Sequence, residues 1–237
     1  MIPKVIHYCW FGENPLPSNT KKYIETWKKY CPDYEIKQWN ESNFDVNSHP
    51  FMRAAYEVKA WAFVSDYARL KIIYDNGGIY LDTDVELLKN LDFLLQNDFY
   101  IGVQQLGKLC NTGLGFGAVA KNNITKKMLD KYDRVTFCDE KRKELACPGF
   151  NTDVLKEIGY RYSDNIVCVE DKSFVFPPKY FDPVSPGDSI NLICEDTISI
   201  HHYSASWGSK SEKYKRKIFT FIGQQRINKL KKLFRDL

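Results

Sequence analysis

No stretch of this 237-residue sequence approaches the run of roughly 20 apolar residues that a membrane-spanning helix needs. It therefore offers no candidate transmembrane helix. The seven cysteines (Cys9, Cys31, Cys110, Cys138, Cys147, Cys168 and Cys194) are odd in number and include no CxxC pair. That argues against a disulfide framework or a thiolate zinc site, and reduced thiols are expected. Internal repeats and low-complexity linkers are absent. Gly 13 and Pro 10 are ordinary counts, and with 43% hydrophobic and 15% aromatic residues they exclude disordered, collagen-like and coiled-coil classes. The chain enters a strand-like run at Val5, which leaves no room for a secretory signal peptide, so a cytoplasmic protein is expected.

What is present is a globular α/β pattern with an uneven charge. The net charge is +4, yet from Gly208 to Leu237 ten Lys/Arg stand against two acids, and residues 1–207 are net acidic. The one boundary falls near Trp207-Gly208-Ser209, giving a domain at 1–207 and a basic extension at 208–237. Within the extension, Ile218, Phe219, Ile222, Ile227, Leu230, Phe234 and Leu237 recur at near-helical spacing among the bases, as in an amphipathic helix. Such a helix fits either an anionic inner leaflet or a docked terminal helix. Nucleic-acid binding is not expected, because the basic run has no accompanying recognition motif.

Val5-Ile6-His7-Tyr8-Cys9-Trp10 reads as a first strand, Ser18 as the N-cap of a helix carrying Tyr23, Thr26, Trp27 and Tyr30, and Tyr34–Trp39 as a second strand. This is the β-α-β opening of an α/β sheet. A long helix is expected over Val58–Tyr74, ended by Asn76-Gly77-Gly78 and followed by the short strand Ile79-Tyr80-Leu81. Further strands are expected at Phe99–Val103, Leu114–Val119 and Asp196–His202, and helices at Ile124–Thr136 and Thr152–Ile158.

Asp82 and Asp84 follow a buried strand, so their carboxylates leave the C-terminal edge of the sheet, where open α/β folds bind ligands. Two carboxylates one residue apart offer hard oxygens to Mg²⁺ or Mn²⁺, though an acidic turn has the same spacing. Asp66 and Arg69 lie three apart on one helix face and suit a ribose and a phosphate, or a simple ion pair. His201 and His202 follow the late strand, where one imidazole could complete a metal shell. Asn151 and Asp153 read as polar residues before a helix, serving the sugar and acceptor side or only as a cap. Asn111-Thr112-Gly113 reads as a pocket lining or a turn.

Ile-Pro-Lys-Val-Ile-His-Tyr-Cys-Trp-Phe-Gly at 2–12, Ser-Asp-Tyr-Ala-Arg-Leu at 65–70, Gly-Gly-Ile-Tyr-Leu-Asp-Thr-Asp-Val at 77–85 and His-His-Tyr-Ser-Ala-Ser-Trp at 201–207 together resemble the DxD-sugar glycosyltransferases of family 32. That family spans capsule-building transferases and fungal initiating mannosyltransferases, with the clostridial glucosylating toxins more distant. The resemblance implies a GT-A type fold, a Rossmann-like mixed sheet flanked by helices, followed here by the C-terminal basic amphipathic helix. It also implies a nucleotide-sugar donor, with UDP-galactose or UDP-glucose ahead of GDP-mannose, and retention of configuration. Under it Trp10 stacks on the base, Asp66 and Arg69 hold nucleoside and phosphate, and Tyr80 and Asp82 contact ribose or sugar. Asp84 binds the metal with His201 or His202, and Ser206 and Trp207 close over the diphosphate. The expected activity is hexose transfer to a glycan or glycolipid acceptor in surface polysaccharide synthesis, with peripheral membrane contact through 208–237. The alternatives are an effector that glycosylates a protein, for which no recognition domain fits, and a non-enzymatic membrane or nucleic-acid binding module.

Overall fold

The computed structural model describes residues 1–186 and 190–204. Ser206, Trp207 and the expected basic helix lie outside the described residues. The described elements are β1 (Val5–Cys9), α1 (Ser18–Tyr30), β2 (Glu35–Trp39), α2 (Pro50–Glu57), α3 (Trp61–Asn76), β3 (Gly78–Tyr80), β4 (Val85–Leu87), β5 (Phe99–Val103), β6 (Cys110–Ala118), α4 (Asn123–Tyr132), α5 (Cys147–Glu157), β7 (Val167–Glu170), β8 (Ser173–Phe176), α6 (Pro178–Phe181) and β9 (Ser199–His201).

Seven strands form one mixed sheet in the order β2-β1-β3-β6-β5-β8-β7, and β4 pairs with β9 in a separate antiparallel ribbon. β1 runs parallel to both β2 and β3, whereas β6 is antiparallel to β3 and β5. Period-two alternation sends neighbouring residues to opposite faces. Ile6, Tyr8, Ile79 and Tyr100 pack with Ile24 and Trp27 of α1. Cys9, Tyr80, Phe99 and Ile101 pack with α3, α4 and α5 on the other side. The result is the GT-A type architecture expected, a mixed sheet with helices on both faces. No described helix is long and apolar enough to cross a membrane, and all seven cysteines are free.

Several boundaries differ from the sequence reading. Ser18 is the first residue of α1, and Pro17 is its cap. The helix expected from Val58 begins at Trp61, because a separate helix, α2, ends at Glu57 with Val58 as its cap and Lys59 turns the chain with a left-handed φ of 58°. A non-glycine residue makes that turn, so no Gly or Pro marks it. Asn111-Thr112-Gly113 is no turn but the start of β6, where a register shift between Ile101 and Gly102 absorbs the irregularity. The Cys147-Pro148-Gly149 run opens α5 instead of preceding it, since proline is tolerated in a helix's first turn. Asn151 and Asp153 consequently stand within α5, not ahead of it. The late strand is shorter than expected and covers Ser199–His201 alone.

His7 ties β1, β2 and the α3–β3 turn together. Trp39 can only donate from its indole nitrogen, so His7 Nδ1 is the acceptor at 3.0 Å. His7 Nε2 therefore carries the proton and donates it to the Gly77 carbonyl at 3.1 Å. The ring lies so close to Gly78, whose φ is 105°, that a Cβ there would sit 2.7 Å from Nε2. Burial holds the imidazole neutral by lowering its pKa from 6.5 to about 4.

Candidate active site

β3 delivers the two aspartates. Its pairing to β1 continues past the strand, with Leu81 N–H donating to the His7 carbonyl at 3.1 Å, and Asp82 N–H then reaches the Gly113 carbonyl on β6 at 3.2 Å. A turn closed by Val85 N–H on the Asp82 carbonyl at 3.0 Å brings Asp84 round beside Asp82. The β4–β9 ribbon places Val85 opposite His201, and His202 N–H donates to the Asp84 carbonyl at 2.9 Å. Asp82, Asp84 and His201 thus converge, each offering one ligand atom within 4.8 Å of the others.

Each aspartate has one oxygen occupied and one turned to that centre. Asp84 Oδ2 accepts from the Ser204 backbone N–H at 2.7 Å and its hydroxyl at 3.0 Å, while Oδ1 lies 3.0 Å from His201 Nε2. Asp82 Oδ1 accepts from the Tyr80 hydroxyl at 3.1 Å and pairs with Arg69 at 3.2 Å, leaving Oδ2 4.0 Å from His201 Nε2. Asp84 Oδ1, Asp82 Oδ2 and His201 Nε2 are the three atoms left for a cation. Two carboxylate oxygens and an imidazole, each oriented by outer hydrogen bonds, suit a divalent metal.

The electrostatics separate the two carboxyls. Burial alone would raise Asp84, but the His201 ring and the two Ser204 donors outweigh it and hold Asp84 well below the usual carboxylate range. Asp82 is raised, chiefly by burial, against the pull of Arg69. His201 is raised because Asp84 and Asp82 overcome the effect of its burial.

Arg69 is only 4% exposed. Its guanidinium bridges Asp66 at 3.0 Å and Asp82 at 3.2 Å and lies over the Tyr80 ring at 4.9 Å. In this arrangement it braces the first aspartate. Asp66 in turn accepts from the backbone and thiol of Cys147, the first residue of α5. Anions are favoured at a helix N-terminus, so Asp66 fastens α5 to the rear of the site. Asn151, fully buried on α5, donates to the Thr112 hydroxyl at 3.3 Å and its Oδ1 has no partner among the described residues. Asp153 does not join them, because the helix turns it outward to solvent. Trp10 lies at the end of β1, 5% exposed, with its indole N–H on the Asn14 carbonyl at 2.6 Å.

The two histidines take different roles. His202 points to the other side of the ribbon, 2.8 Å from Glu86 and stacked on Tyr23 at 4.6 Å. It stands outside the Asp82–Asp84–His201 cluster, so of the two imidazoles left open in the sequence only His201 is brought to the aspartates. His201→Ala should weaken Mn²⁺ binding by about tenfold or more, whereas His202→Ala should leave it within about twofold, as titration by electron paramagnetic resonance will read.

The sequence reading assigned Ser204, which holds Asp84, no role of its own, and offered Gly113 as pocket lining or turn without showing that it makes space for Asp82. A Cβ on Gly113 would stand 2.2 Å from Asp82 Oδ2 and 3.0 Å from Arg69 Nη1. Because Tyr80 and Arg69 fix that carboxylate, it can yield only by leaving the metal position. Gly113→Ala should therefore cost at least about tenfold in Mn²⁺ affinity while the melting temperature in chelator moves by only about a few degrees.

Residues 17–100 match the glycosyltransferase sugar-binding region containing the DXD motif. The chain carries a glycosyltransferase DXD region. Asp82-Thr83-Asp84 is that motif, and the region holds α1, α3 and β3, the elements that present both aspartates. The chain is 32% identical over 112 residues to an uncharacterized glycosyltransferase of Acanthamoeba polyphaga mimivirus, covering 45% of each. It is 31% identical over 123 residues to inositol phosphoceramide mannosyltransferase 3 of Schizosaccharomyces pombe, covering 48% of this chain and 33% of that protein. Both matches span less than half the length of the curated relative. Among solved structures, the PaToxG glycosyltransferase shares the fold with a TM-score of 0.50 at 24% identity, over 66% of this chain and 68% of that one.

Proposed function

We propose that the DXD region works here in a metal-dependent, retaining hexosyltransferase that takes its sugar from a nucleotide-sugar. The observation that carries the reading is the convergence of Asp82, Asp84 and His201 at the C-terminal edge of the sheet. Breaking a sugar–phosphate bond leaves negative charge on the nucleoside diphosphate, so the chief need is positive charge at that leaving group. A divalent cation, Mn²⁺ or Mg²⁺, supplies that charge when bound. Asp84 and His201 hold it directly and Asp82 completes the set. Ser204 keeps Asp84 ionised and aimed, and Arg69 with Tyr80 keeps Asp82 in register.

The donor favoured by this reading is UDP-galactose or UDP-glucose. A relative named as an inositol phosphoceramide mannosyltransferase keeps GDP-mannose in the panel and supports a glycolipid acceptor. A lipid-linked or oligosaccharide acceptor in surface polysaccharide synthesis is the proposed destination of the sugar. The basic 208–237 extension suits a cytoplasmic enzyme working against the inner leaflet, an assignment that rests on its charge alone.

A thermal-shift panel of UDP- and GDP-sugars with Mn²⁺, repeated in EDTA, tests the donor site. A ligand that binds the folded state raises the melting temperature by an amount set by RT ln(1 + [L]/Kd). The expected result is a Mn²⁺-dependent rise with one nucleotide class and none in EDTA. No rise with any donor at millimolar concentration overturns the proposal.

A further inference from the structure

Behind His201 lies a second polar group that the metal site does not use. Asp182, fully buried at the end of α6, gives one oxygen to three donors. Its Oδ2 accepts from Gln105 N–H at 2.7 Å, the Ser185 hydroxyl at 2.8 Å and the Tyr203 hydroxyl at 2.7 Å. Its Oδ1 is buried and has no partner among the described residues. Two more buried polar atoms on the neighbouring strand share that condition, Ser199 Oγ and His201 Nδ1. Ser199 and His201 are two residues apart on β9 and face the same side of it.

The fold brings these groups together. β9 is tied to α6 by Ile198 N–H on the Tyr180 carbonyl at 2.8 Å. The Tyr203 ring packs edge-on against His201 at 4.1 Å while its hydroxyl holds Asp182. With a cation on Nε2 that nitrogen carries no proton, so the proton of the neutral ring stands on Nδ1, on this inner side. Leaving three buried polar atoms unpaired would cost each its full desolvation. A buried water normally takes about three hydrogen bonds from such groups.

We propose that one internal water, bound by Asp182 Oδ1 and Ser199 Oγ, accepts the Nδ1 proton of His201 and makes Asp182 a positioning residue for the metal ligand. The relay fixes the imidazole with Nε2 free for the cation and holds its ring plane. It rests on the reading of His201 as a ligand, and it adds the carboxylate that such a histidine needs behind it.

The test compares Asp182→Asn with Ser185→Ala, which removes a donor from Oδ2 and leaves Oδ1 untouched. Manganese affinity is read by electron paramagnetic resonance. Asp182→Asn should raise the Mn²⁺ Kd about tenfold to a hundredfold, and Ser185→Ala should leave it within about threefold. Equal losses in both variants would mean a packing effect and overturn the proposal, as would an unchanged Kd in a folded Asp182→Asn protein. The second readout needs no turnover and no Mn²⁺. In ¹⁵N-histidine protein loaded with Zn²⁺ as a diamagnetic stand-in, His201 should show a slowly exchanging Nδ1 proton with a cross-peak to water, weakened in Asp182→Asn. An Nδ1 proton that exchanges freely in the wild type overturns the relay. Failure of the wild type to bind either metal overturns the ligand reading instead, and the metal-free spectrum then decides the relay by itself.

Discussion

Asp84→Ala is expected to abolish measurable Mn²⁺ binding and to cut donor turnover by about a thousandfold or more, while the protein remains folded in chelator. A bound cation contributes several kcal/mol of transition-state charge stabilisation, and each 1.36 kcal/mol is a factor of ten in rate. Asp84 is the aspartate that the site keeps ionised: both Ser204 donors and His201 converge on it. Its loss leaves the imidazole without its closest anion and relieves the charge that raises Asp82. Asp82 Oδ2, 4.0 Å from His201 Nε2, then has no second carboxylate to share the ion. Asp153→Ala should leave turnover unchanged, because that side chain faces solvent on the far side of α5. Metal titration and initial rates on both variants give the result directly. Full turnover with intact metal dependence in Asp84→Ala would remove Asp84 from the ligand set.

The second large effect is on stability in acid. Burial lowers His7 from 6.5 to about 4 in the folded state. Above pH 6.5 the ring is neutral in both folded and unfolded chains, and its contribution is fully present. Between 6.5 and 4 the unfolded chain binds a proton that the folded chain refuses, so stability falls as the pH falls. At 1.36 kcal/mol per unit the loss totals about 3 kcal/mol, and below pH 4 the slope disappears. A proton on Nδ1 would confront the Trp39 indole N–H, and both groups would then be donors. Urea unfolding of wild type and His7→Gln at intervals from pH 7.5 to 4 isolates this contribution. The difference between the two should shrink by about 3 kcal/mol across that window. A difference independent of pH would mean that the ring binds its proton alike in the folded and unfolded chains.

The sequence held the site's first row and hid its supports. Asp82 and Asp84 were legible because a short apolar strand runs into them and because the motifs around them resemble a known family; their spacing alone also fits an acidic turn. His201 and His202 could not be separated, since a one-residue slip exchanges the faces of a strand. The pairing of Val85 with His201 decides it, and that pairing belongs to the fold. Asp182 left no signal at all, and Gly113 stood out only as pocket lining or a turn. The need for a missing side chain at Gly113 comes from a carboxylate brought in by a different strand, 31 positions earlier in the numbering. Asp182 works through residues that local spacing never brings near it. The error over Asn151 and Asp153 has a different source: Pro148-Gly149 looks like punctuation, but a helix accepts both in its first turn. Likewise the break between α2 and α3 is made by Lys59, a residue with no conformational signature.

The ribbon of β4 and β9 is three residues on each side, and the Asp84–Ser204 contact beside it joins positions 120 apart in the chain. Contacts of such separation are slow to form, because the entropy of closing the intervening loop comes before any reward. During synthesis all seven strands of the sheet have emerged once β8 has, yet His201 and the serine that aims Asp84 leave the ribosome afterwards. A nascent chain that ends before Ser199 lacks both the imidazole and the donors that meet Asp84. The cluster of Asp82, Asp84 and His201 is therefore completed by the last described strand.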